Sequence, residues 1–415
     1  MKKLLIVAGA GASLDFGMPS VADISVLLRN KAKEFYPLTS NADNSLYTWV
    51  EKKLKSYISK NPKNQSNELL GFESLLFTIQ QLRAVSINAV YNDFKDRLGP
   101  FIKTNRFPKI NLFGGLPKLA DSNDFYSMHG FIVDELLSDI RARCRLLQTN
   151  KSAELKLLQD LLSNLKTQFN LGFINLNYDN VILRALPDLE TGFNAKGAFD
   201  RNIIYNGNWN FCYHMHGSVH FDMNARNKTE LHEISWNKNL NSMFDSNSTG
   251  RNRNTSREGI DHLNSVIVTG FDKTTQLLRE PFSSYFMQLD RLIYESDAIL
   301  FMGYGFADSH LNHAFSFIRK DKTKKRKVAV IDWADDMQDG LEFRRDSWSD
   351  GLQETIPIIG NKKGRGYRSE PNIVRTFKSK QDFERALNRS TPVSIWYNGL
   401  TEACHHPAKI LKELI

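Results

Sequence analysis

Two short glycine-containing segments of this 415-residue chain have the residue types of phosphate-binding turns. The first contains Gly9, Ala10, Gly11 and Ser13, and the second contains Gly303, Tyr304 and Gly305. Each follows an apolar run typical of a buried strand, and glycines there let the backbone turn sharply and present amides to a pyrophosphate. Gly17 follows Gly11 by six residues, so the dehydrogenase fingerprint is absent, and a purely structural strand-to-helix turn is the alternative.

Polar side chains follow two further predicted strands. Asn177 and Asp179 follow a strand at 172–176, and Asp332 ends a strand at 327–332. The carboxyl ends of parallel strands border the ligand crevice, where an amide and carboxylates could orient ribose hydroxyls or a water molecule. The alternative for Asp179 is an Asx turn that caps a short helix.

Histidines follow another predicted strand, in the sequence H-M-H-G-S. His214 and His216 would lie on one side of that strand, but no clear carboxylate or cysteine completes a metal site. His216 precedes a glycine and suits the role of a general base, since imidazole titrates near neutral pH. A hydrogen-bonded structural histidine is the alternative.

The pattern of apolar residues predicts an α/β fold with a parallel sheet, because strands and helices alternate. The predicted elements are strands at 4–8, 172–176, 298–302 and 327–332, and helices at 20–35 (with Ser20 as N-cap), 282–296 and 308–320. Weaker patterns predict a hairpin of strands 202–205 and 209–215, a strand at 265–269, and helices at 381–388 and 405–414. The block at 40–168 is mainly helical in pattern.

Composition limits the class of protein. Charged residues make up 24% and the net charge is +9, which fits a globular protein and does not by itself indicate a nucleic-acid partner. The basic run at 319–327 and the asparagine-rich stretch at 237–254 are both expected to be surface loops. The chain contains only three cysteines, which predicts a reducing compartment such as the cytoplasm and no four-cysteine zinc site. No apolar run reaches the ~18 residues of a membrane helix.

The order of these motifs resembles the sirtuin family, and in particular its zinc-less bacterial branch that consumes NAD in anti-phage defence. The resemblance covers about 1–335 and implies a Rossmann-like fold. It assigns catalysis to Asn177, Asp179 and His216, and NAD contacts to the two glycine turns and Asp332. It implies NAD glycohydrolase activity, with NAD as a substrate and no metal.

The chain departs from the deacylating sirtuins in three ways. After the first glycine turn they carry G-I-P-D-F-R, where this chain has Gly17-Met18-Pro19-Ser20-Val21-Ala22. Their T-Q-N-x-D motif is replaced by one that begins Asn175-Leu176, and their four zinc cysteines are absent. A deacylase or ADP-ribosyltransferase, and a non-catalytic NAD-sensing module, are the alternative functions. The resemblance also implies a homo-oligomer that acts with a separate ATPase, for example a HerA-type hexamer.

The predicted domain organisation has three parts. Residues 1–39 and 169–370 form the NAD-binding domain, 40–168 form a helical insertion, and 371–415 form a C-terminal tail. The insertion and the tail then offer surface for self-association or for a partner chain.

Overall fold

The computed structural model describes most of the chain. The described residues are 1–33, 35–38, 45–60, 71–90, 107–111, 116–224, 233–242, 254–255, 261–262, 265–269, 273–277, 279–319, 323–334, 346–356, 371–386 and 393–415. The asparagine-rich stretch and the basic run fall partly outside these residues.

The strands and helices of the described residues are numbered separately in chain order. The strands are β1 (Lys2–Ala8), β2 (Lys109–Ile110), β3 (Lys118–Leu119), β4 (Phe169–Asn175), β5 (Phe211–His214), β6 (Phe221–Asn224), β7 (Glu233–Trp236), β8 (Asn254–Thr255), β9 (Asp261–His262), β10 (Ala298–Met302), β11 (Lys327–Ile331), β12 (Glu384–Ala386) and β13 (Val393–Trp396). The helices are α1 (Val21–Ala32), α2 (Leu46–Ser59), α3 (Phe72–Val90), α4 (Ser122–Asn150), α5 (Ser152–Lys166), α6 (Val181–Ala185), α7 (Arg201–Tyr205), α8 (Lys273–Gln276), α9 (Phe282–Glu295), α10 (Ser309–Phe315), α11 (Asp346–Thr355), α12 (Pro371–Lys380), α13 (Gly399–Cys404) and α14 (Pro407–Leu414).

A seven-stranded sheet organises the fold, in the order β12-β13-β11-β10-β1-β4-β5. All neighbouring strands are parallel except the pair β12 and β13. Without the edge strand β12, this is the doubly wound strand order 3-2-1-4-5-6 of Rossmann folds. The predicted α/β, Rossmann-like fold is therefore confirmed.

Strand β1 lies in the middle of the sheet, between β4 and β10. The side chains from Leu4 to Ala8 are completely buried, as expected for a strand covered on both faces. Ile6 pairs with Leu300 of β10 on one side and with Phe173 of β4 on the other. The strand order reverses direction between β1 and β10, and ligands of such sheets bind outside the carboxyl ends at this switch point.

The chain divides into two compact units. The first consists of residues 1–18, 143–218 and 281–415 and contains the seven-stranded sheet. In it, α5 packs against α13, α14 and β4, and α9 packs against β1 and β5.

The second unit consists of residues 19–142 and 219–280 and is rich in helices. Helices α1, α2 and α3 pack against one another. Ser20 caps α1 in a reciprocal box with Asp23, which confirms the predicted N-cap. The buried Arg141 donates hydrogen bonds to the carbonyl oxygens of Val219 and Phe221, and so connects the two stretches of chain that form this unit.

These units differ from the predicted domain limits. Residues 143–168 supply α5 to the unit that holds the sheet, and 219–280 group with the helical insertion. Residues 371–415 are not a tail outside the fold, because β13 pairs in parallel with β11. The physical reason is the apolar run at 393–397, whose buried side chains extend the sheet.

Three predicted elements are wrong. Residues 201–205 form α7 instead of a strand, because Asp200 accepts a hydrogen bond from the Asn202 amide at the start of a helix. The predicted hairpin is therefore absent, and β5 pairs in parallel with β4. Residues 265–269 belong to no strand, and the predicted helix at 381–388 contains β12 instead.

The basic run has a structural role at the C-terminal end of α9. Arg326 is completely buried and donates hydrogen bonds to the carbonyl oxygens of Ser296 and Tyr294. Lys324 donates to the carbonyl oxygen of Glu295 and lies 2.8 Å from a carboxylate oxygen of Asp297. Cations at a helix C-terminus satisfy its last carbonyl groups, so these two bases stabilise the helix end.

None of the helices in the described part of the chain is long and apolar enough to cross a membrane.

Candidate functional site

The predicted site residues all follow carboxyl ends of strands in the sheet. The turn at Gly9 follows β1, Asn177 and Asp179 follow β4, and His216 follows β5. Gly303 follows β10, and Asp332 follows β11. Since β5, β4, β1, β10 and β11 are consecutive neighbours, the sheet gathers these residues along one edge that includes the switch point.

The two glycine turns pack directly on each other. A Cβ atom at Gly9 would lie 2.7 Å from the carbonyl oxygen of Gly303, and one at Gly11 would lie 2.9 Å from the Gly303 Cα. A Cβ atom at Gly303 would lie 2.1 Å from the Ala12 nitrogen, and its φ is +56°. Glycine is therefore required at these three positions by close backbone approach.

The amides of the first turn are used within the protein. Hydrogen bonds of 2.9–3.1 Å run from the amides of Gly9, Gly11, Ala12 and Ser13 to the carbonyl oxygens of Met302, Gly303, Gly9 and Ala10, respectively. This differs from the predicted row of amides open to a pyrophosphate, because carbonyl groups at the second turn accept two of the amides and carbonyl groups of the first turn itself accept the other two. The tip of the turn, at Ala10, is exposed, and its small side chain lets a ligand approach the backbone.

Asn177 is held in place by the first glycine turn. Its Nδ2 atom donates hydrogen bonds to the carbonyl oxygen of Gly9 at 2.8 Å and to the hydroxyl of Ser13 at 2.9 Å. Its backbone amide donates to Oδ1 of Asn175, which shapes the turn after β4. Because both amide hydrogens are used, the Oδ1 atom of Asn177 is the end of the side chain that can accept a hydrogen bond from a ligand.

Asp179 is buried next to the same hydroxyl. Its side chain is hydrogen-bonded to Ser13, and Oδ1 accepts the amide of Val181 at 3.0 Å, as in the Asx turn considered from sequence. Burial raises the pKa of Asp179 above the usual value of an aspartate. Asp179 therefore helps to fix the Ser13 hydroxyl, which in turn accepts a hydrogen bond from Asn177.

The two histidines of the H-M-H sequence have different surroundings. His214 is completely buried, with Nδ1 3.4 Å from the Nδ2 atom of Asn175 and Nε2 3.8 Å from the Sγ atom of Cys212. His216 lies beyond the end of β5, and its Nε2 atom is 3.9 Å from Oδ1 of Asp308. The structure thus separates the pair, and His214 has a structural environment.

Asp308 and His310 are two neighbours of His216 to which the sequence analysis gave no role. Asp308 precedes α10, but its carboxylate accepts no capping hydrogen bond from that helix. The ring centroids of His216 and His310 are 6.1 Å apart. One ligand atom from each of the three side chains lies within 4.8 Å of the others. The signal in the sequence was the D-x-H spacing after the second glycine turn. These residues follow β10, which is not adjacent to β5 in the sheet.

The second glycine turn is partly a core element. Tyr304 is 2% exposed, its hydroxyl donates to Oδ1 of Asn312 at 2.9 Å, and burial raises its pKa. Its side chain therefore points into the core, and only its backbone can face a ligand. Phe306 has a φ of +53°, which is uncommon for a bulky residue and is held by a hydrogen bond from Asn312. Gly305 is exposed.

Asp332 follows β11 and is 5% exposed. Its Oδ1 atom accepts the backbone amide of Trp333 at 2.8 Å, and its own backbone binds Trp396 and Gly399. These bonds fix the carboxylate at the carboxyl ends of the strands, and β11 is two strands away from β1 in the sheet.

A family model described as a SIR2-like domain matches residues 172–350, which include Asn177, Asp179, His216, the second glycine turn and Asp332. The first glycine turn lies outside the match, and no curated protein matches the chain. With the doubly wound sheet, the match shows that the chain carries a SIR2-like domain, which indicates an NAD-related function.

Proposed function

We propose that this protein is an NAD glycohydrolase, which cleaves NAD to nicotinamide and ADP-ribose. One observation supports this most strongly: Asn177 and His216 follow neighbouring strands at the carboxyl edge of a sheet whose switch point holds two packed glycine turns. The arrangement offers a nucleotide crevice with an amide and an imidazole beside it. NAD is the substrate, and no resident cofactor takes part.

The glycine turns would bind the dinucleotide. Small residues at Ala10 and Gly305 let the pyrophosphate approach the backbone, and Asp332 would accept hydrogen bonds from ribose hydroxyls. The hydroxyl of Ser13 keeps Asn177 and Asp179 in position below the first turn.

Asn177 would orient the reacting ribose. Its Nδ2 atom is tied to Gly9 and Ser13, so Oδ1 has a defined direction from which to accept a hydrogen bond from a ribose hydroxyl or from the attacking water. A group positioned before reaction loses no orientational freedom in the transition state, which lowers the barrier.

His216 would act as the general base. The bond between the ribose anomeric carbon and the nicotinamide nitrogen breaks, and the electron pair leaves with nicotinamide and neutralises its ring. The oxygen of a water molecule bonds to the same carbon, and the water proton passes to His216. Asp308, 3.9 Å away, stabilises the imidazolium that results.

Nicotinamide release measures this function. Purified protein is incubated with NAD, and nicotinamide, ADP-ribose and cyclic ADP-ribose are separated by chromatography. His216→Ala and Asn177→Ala should each lower the rate by about 100-fold or more, because each removes a group that acts in the transition state. NAD affinity of His216→Ala, measured by calorimetry, should change little.

His313→Ala is the matched control, since this exposed histidine on α10 should leave the rate unchanged. Near-normal nicotinamide release by His216→Ala or Asn177→Ala would contradict the assignment. Release that needs a protein acceptor would indicate a transferase, and tight binding without cleavage would indicate an NAD-sensing module.

The resemblance to the defence branch extends the proposal to the role of the protein. NAD depletion in the cytoplasm would act against phage infection, and the activity would be held low until a larger assembly changes. The proposed assembly is a homo-oligomer with a separate ATPase of the HerA type. Light scattering of the pure protein should give a mass above that of one chain, and a fully active monomer would contradict this.

A further inference from the structure

We propose that His216, Asp308 and His310 bind a zinc ion that inhibits the enzyme. The inhibition rests on the proposed function, whereas the metal site rests on the geometry of these three side chains alone. One ligand atom from each residue lies within 4.8 Å of the others. The distance from Nε2 of His216 to Oδ1 of Asp308 is 3.9 Å.

The positions of the three residues make this convergence specific. His216 follows β5, whereas Asp308 and His310 follow β10, and β4 and β1 lie between these strands in the sheet. The two segments reach towards each other past the ends of the intervening strands. Asp308 stands at the N-cap position of α10, yet its side chain does not cap the helix. Its carboxylate instead lies near the imidazole of His216.

The chemistry of the set favours zinc. Two imidazoles and one carboxylate are the donors of many zinc sites that keep a fourth position for water, whereas magnesium and calcium prefer oxygen donors alone. Zinc–ligand bonds of about 2.0–2.2 Å place tetrahedral donors about 3.3 Å apart. The donor atoms lie within 4.8 Å of one another, so zinc binding would draw them together by about 1.5 Å or less through small side-chain rotations.

The burial of the cluster strengthens the case. His216 is 5% exposed, and Asp308 and His310 are half-buried. Phe286 packs beside His310, with ring centroids 5.3 Å apart, which limits the movement of that imidazole. A site walled by an aromatic ring and largely shielded from water holds its ligands near one another before the metal binds.

Zinc would inhibit by occupying the general base. An imidazole nitrogen bound to zinc has no lone pair for a proton, so His216 cannot accept one from the attacking water. The metal would also place a positive charge next to the cationic nicotinamide ring of NAD, which opposes substrate binding.

Zinc binding is measured first without NAD. Protein treated with a chelator and dialysed is titrated with zinc chloride in a calorimeter and, separately, against a zinc-sensitive dye, with magnesium chloride as the comparison metal. The wild-type protein should bind one zinc ion with micromolar or tighter affinity at this site, and magnesium should not compete. His310→Ala and Asp308→Asn should each weaken zinc binding by at least about ten-fold.

His310→Gln, which keeps much of the side-chain volume, gives a second test that does not depend on a cavity being tolerated. His313→Ala is the control, because this histidine is exposed on the same helix. Circular dichroism of each variant checks that it is folded. Equal zinc affinity in the wild-type, His310→Ala and His310→Gln proteins would overturn the site.

Inhibition is then measured on nicotinamide release. Zinc should inhibit the wild-type and His313→Ala proteins over the concentration range in which it binds. His310→Ala should retain cleavage without zinc and need at least about ten-fold more zinc for half-inhibition. Zinc that binds without lowering the rate would overturn the inhibitory role, whereas a protein that binds zinc but never cleaves NAD would refute the proposed function and leave the site confirmed.

Discussion

At the scale of single residues, the site depends on backbones that approach each other too closely for side chains. Gly303 has a φ of +56° and faces Gly11 and Ala12, whereas a Cβ atom at Gly305, two residues later, would meet no atom within 4 Å. Two glycines of one motif therefore have different reasons to be glycine. The first is required by packing, and the second leaves room beside the crevice.

Gly303→Ala tests this difference against Gly305→Ala. The alanine at 303 would place its Cβ 2.1 Å from the Ala12 nitrogen in a left-handed conformation, so we expect a loss of about 2 kcal/mol or more in the free energy of unfolding. Gly305→Ala meets no atom within 4 Å and should change stability by less than about 0.5 kcal/mol. Urea denaturation gives both values, and equal effects would contradict the packing argument.

Asp179 gives a second test at this scale, through pH. Burial raises its pKa in the folded protein above the value of about 3.9 in an unfolded chain, so the folded state binds the proton more tightly. The stability of the wild-type protein relative to Asp179→Asn should therefore rise as the pH falls through the folded pKa, and level off below the unfolded one. Urea denaturation of both proteins from pH 7 to pH 4 measures this difference, and a constant or falling difference would refute it.

At the scale of elements, basic side chains that precede β11 bind the C-terminal end of α9. The C-terminal end of α9 leaves carbonyl groups that the buried Arg326 and the half-buried Lys324 satisfy just before β11 begins. The basic run, expected from the sequence to be a surface loop, is thus partly used to join a helix to a strand. Lys325, between these two bases, is exposed.

Replacing Arg326 tests its role at the C-terminal end of α9. Arg326→Met keeps much of the side-chain length but leaves the carbonyl groups of Tyr294 and Ser296 without their donors, so we expect a loss of roughly 2–4 kcal/mol in unfolding free energy. Lys325→Ala is the control and should change stability by less than about 0.5 kcal/mol. Thermal and urea denaturation measure the effect. Similar stabilities of the two variants would show that Arg326 does not support the helix end.

At the scale of the whole molecule, the three cysteines are buried in three different elements of the fold. Cys144, Cys212 and Cys404 belong to α4, β5 and α13, and each is a buried free thiol. Burial raises the pKa of Cys404 to about 12 and those of the other two thiols further. Metals bind the thiolate, so these cysteines are poor ligands at neutral pH.

Refolding without metal tests this. Protein unfolded in denaturant and returned to buffer that contains a chelator should regain its circular dichroism spectrum and unfolding midpoint, because its buried thiols are poor ligands for a structural zinc ion. Refolding that succeeds only when zinc is added would contradict the expectation. The zinc site proposed at His216 is separate, because it binds to the folded protein and inhibits it.

Local patterns in the sequence already determined the main elements of the sheet and several site positions. Buried parallel strands are continuous apolar runs, so β1, β4, β10 and β11 could be recognised, together with the polar residues at their carboxyl ends. The same local reasoning failed at 202–205 and at 381–388, where short apolar runs are compatible with either a helix or a strand. Whether such a run forms a helix or a strand depends on contacts with residues that are distant in the sequence.

Only the tertiary structure decided which distant residues meet. The order of strands brings the Gly9 and Gly303 turns into contact, ties Asn177 to the first of them, and uses amides that the motif alone suggested were open. It also places Asp308 and His310 beside His216 and turns His214 away. The physical reason is that strand order and loop paths, which depend on packing across the whole sheet, set the distances between segments far apart in the chain.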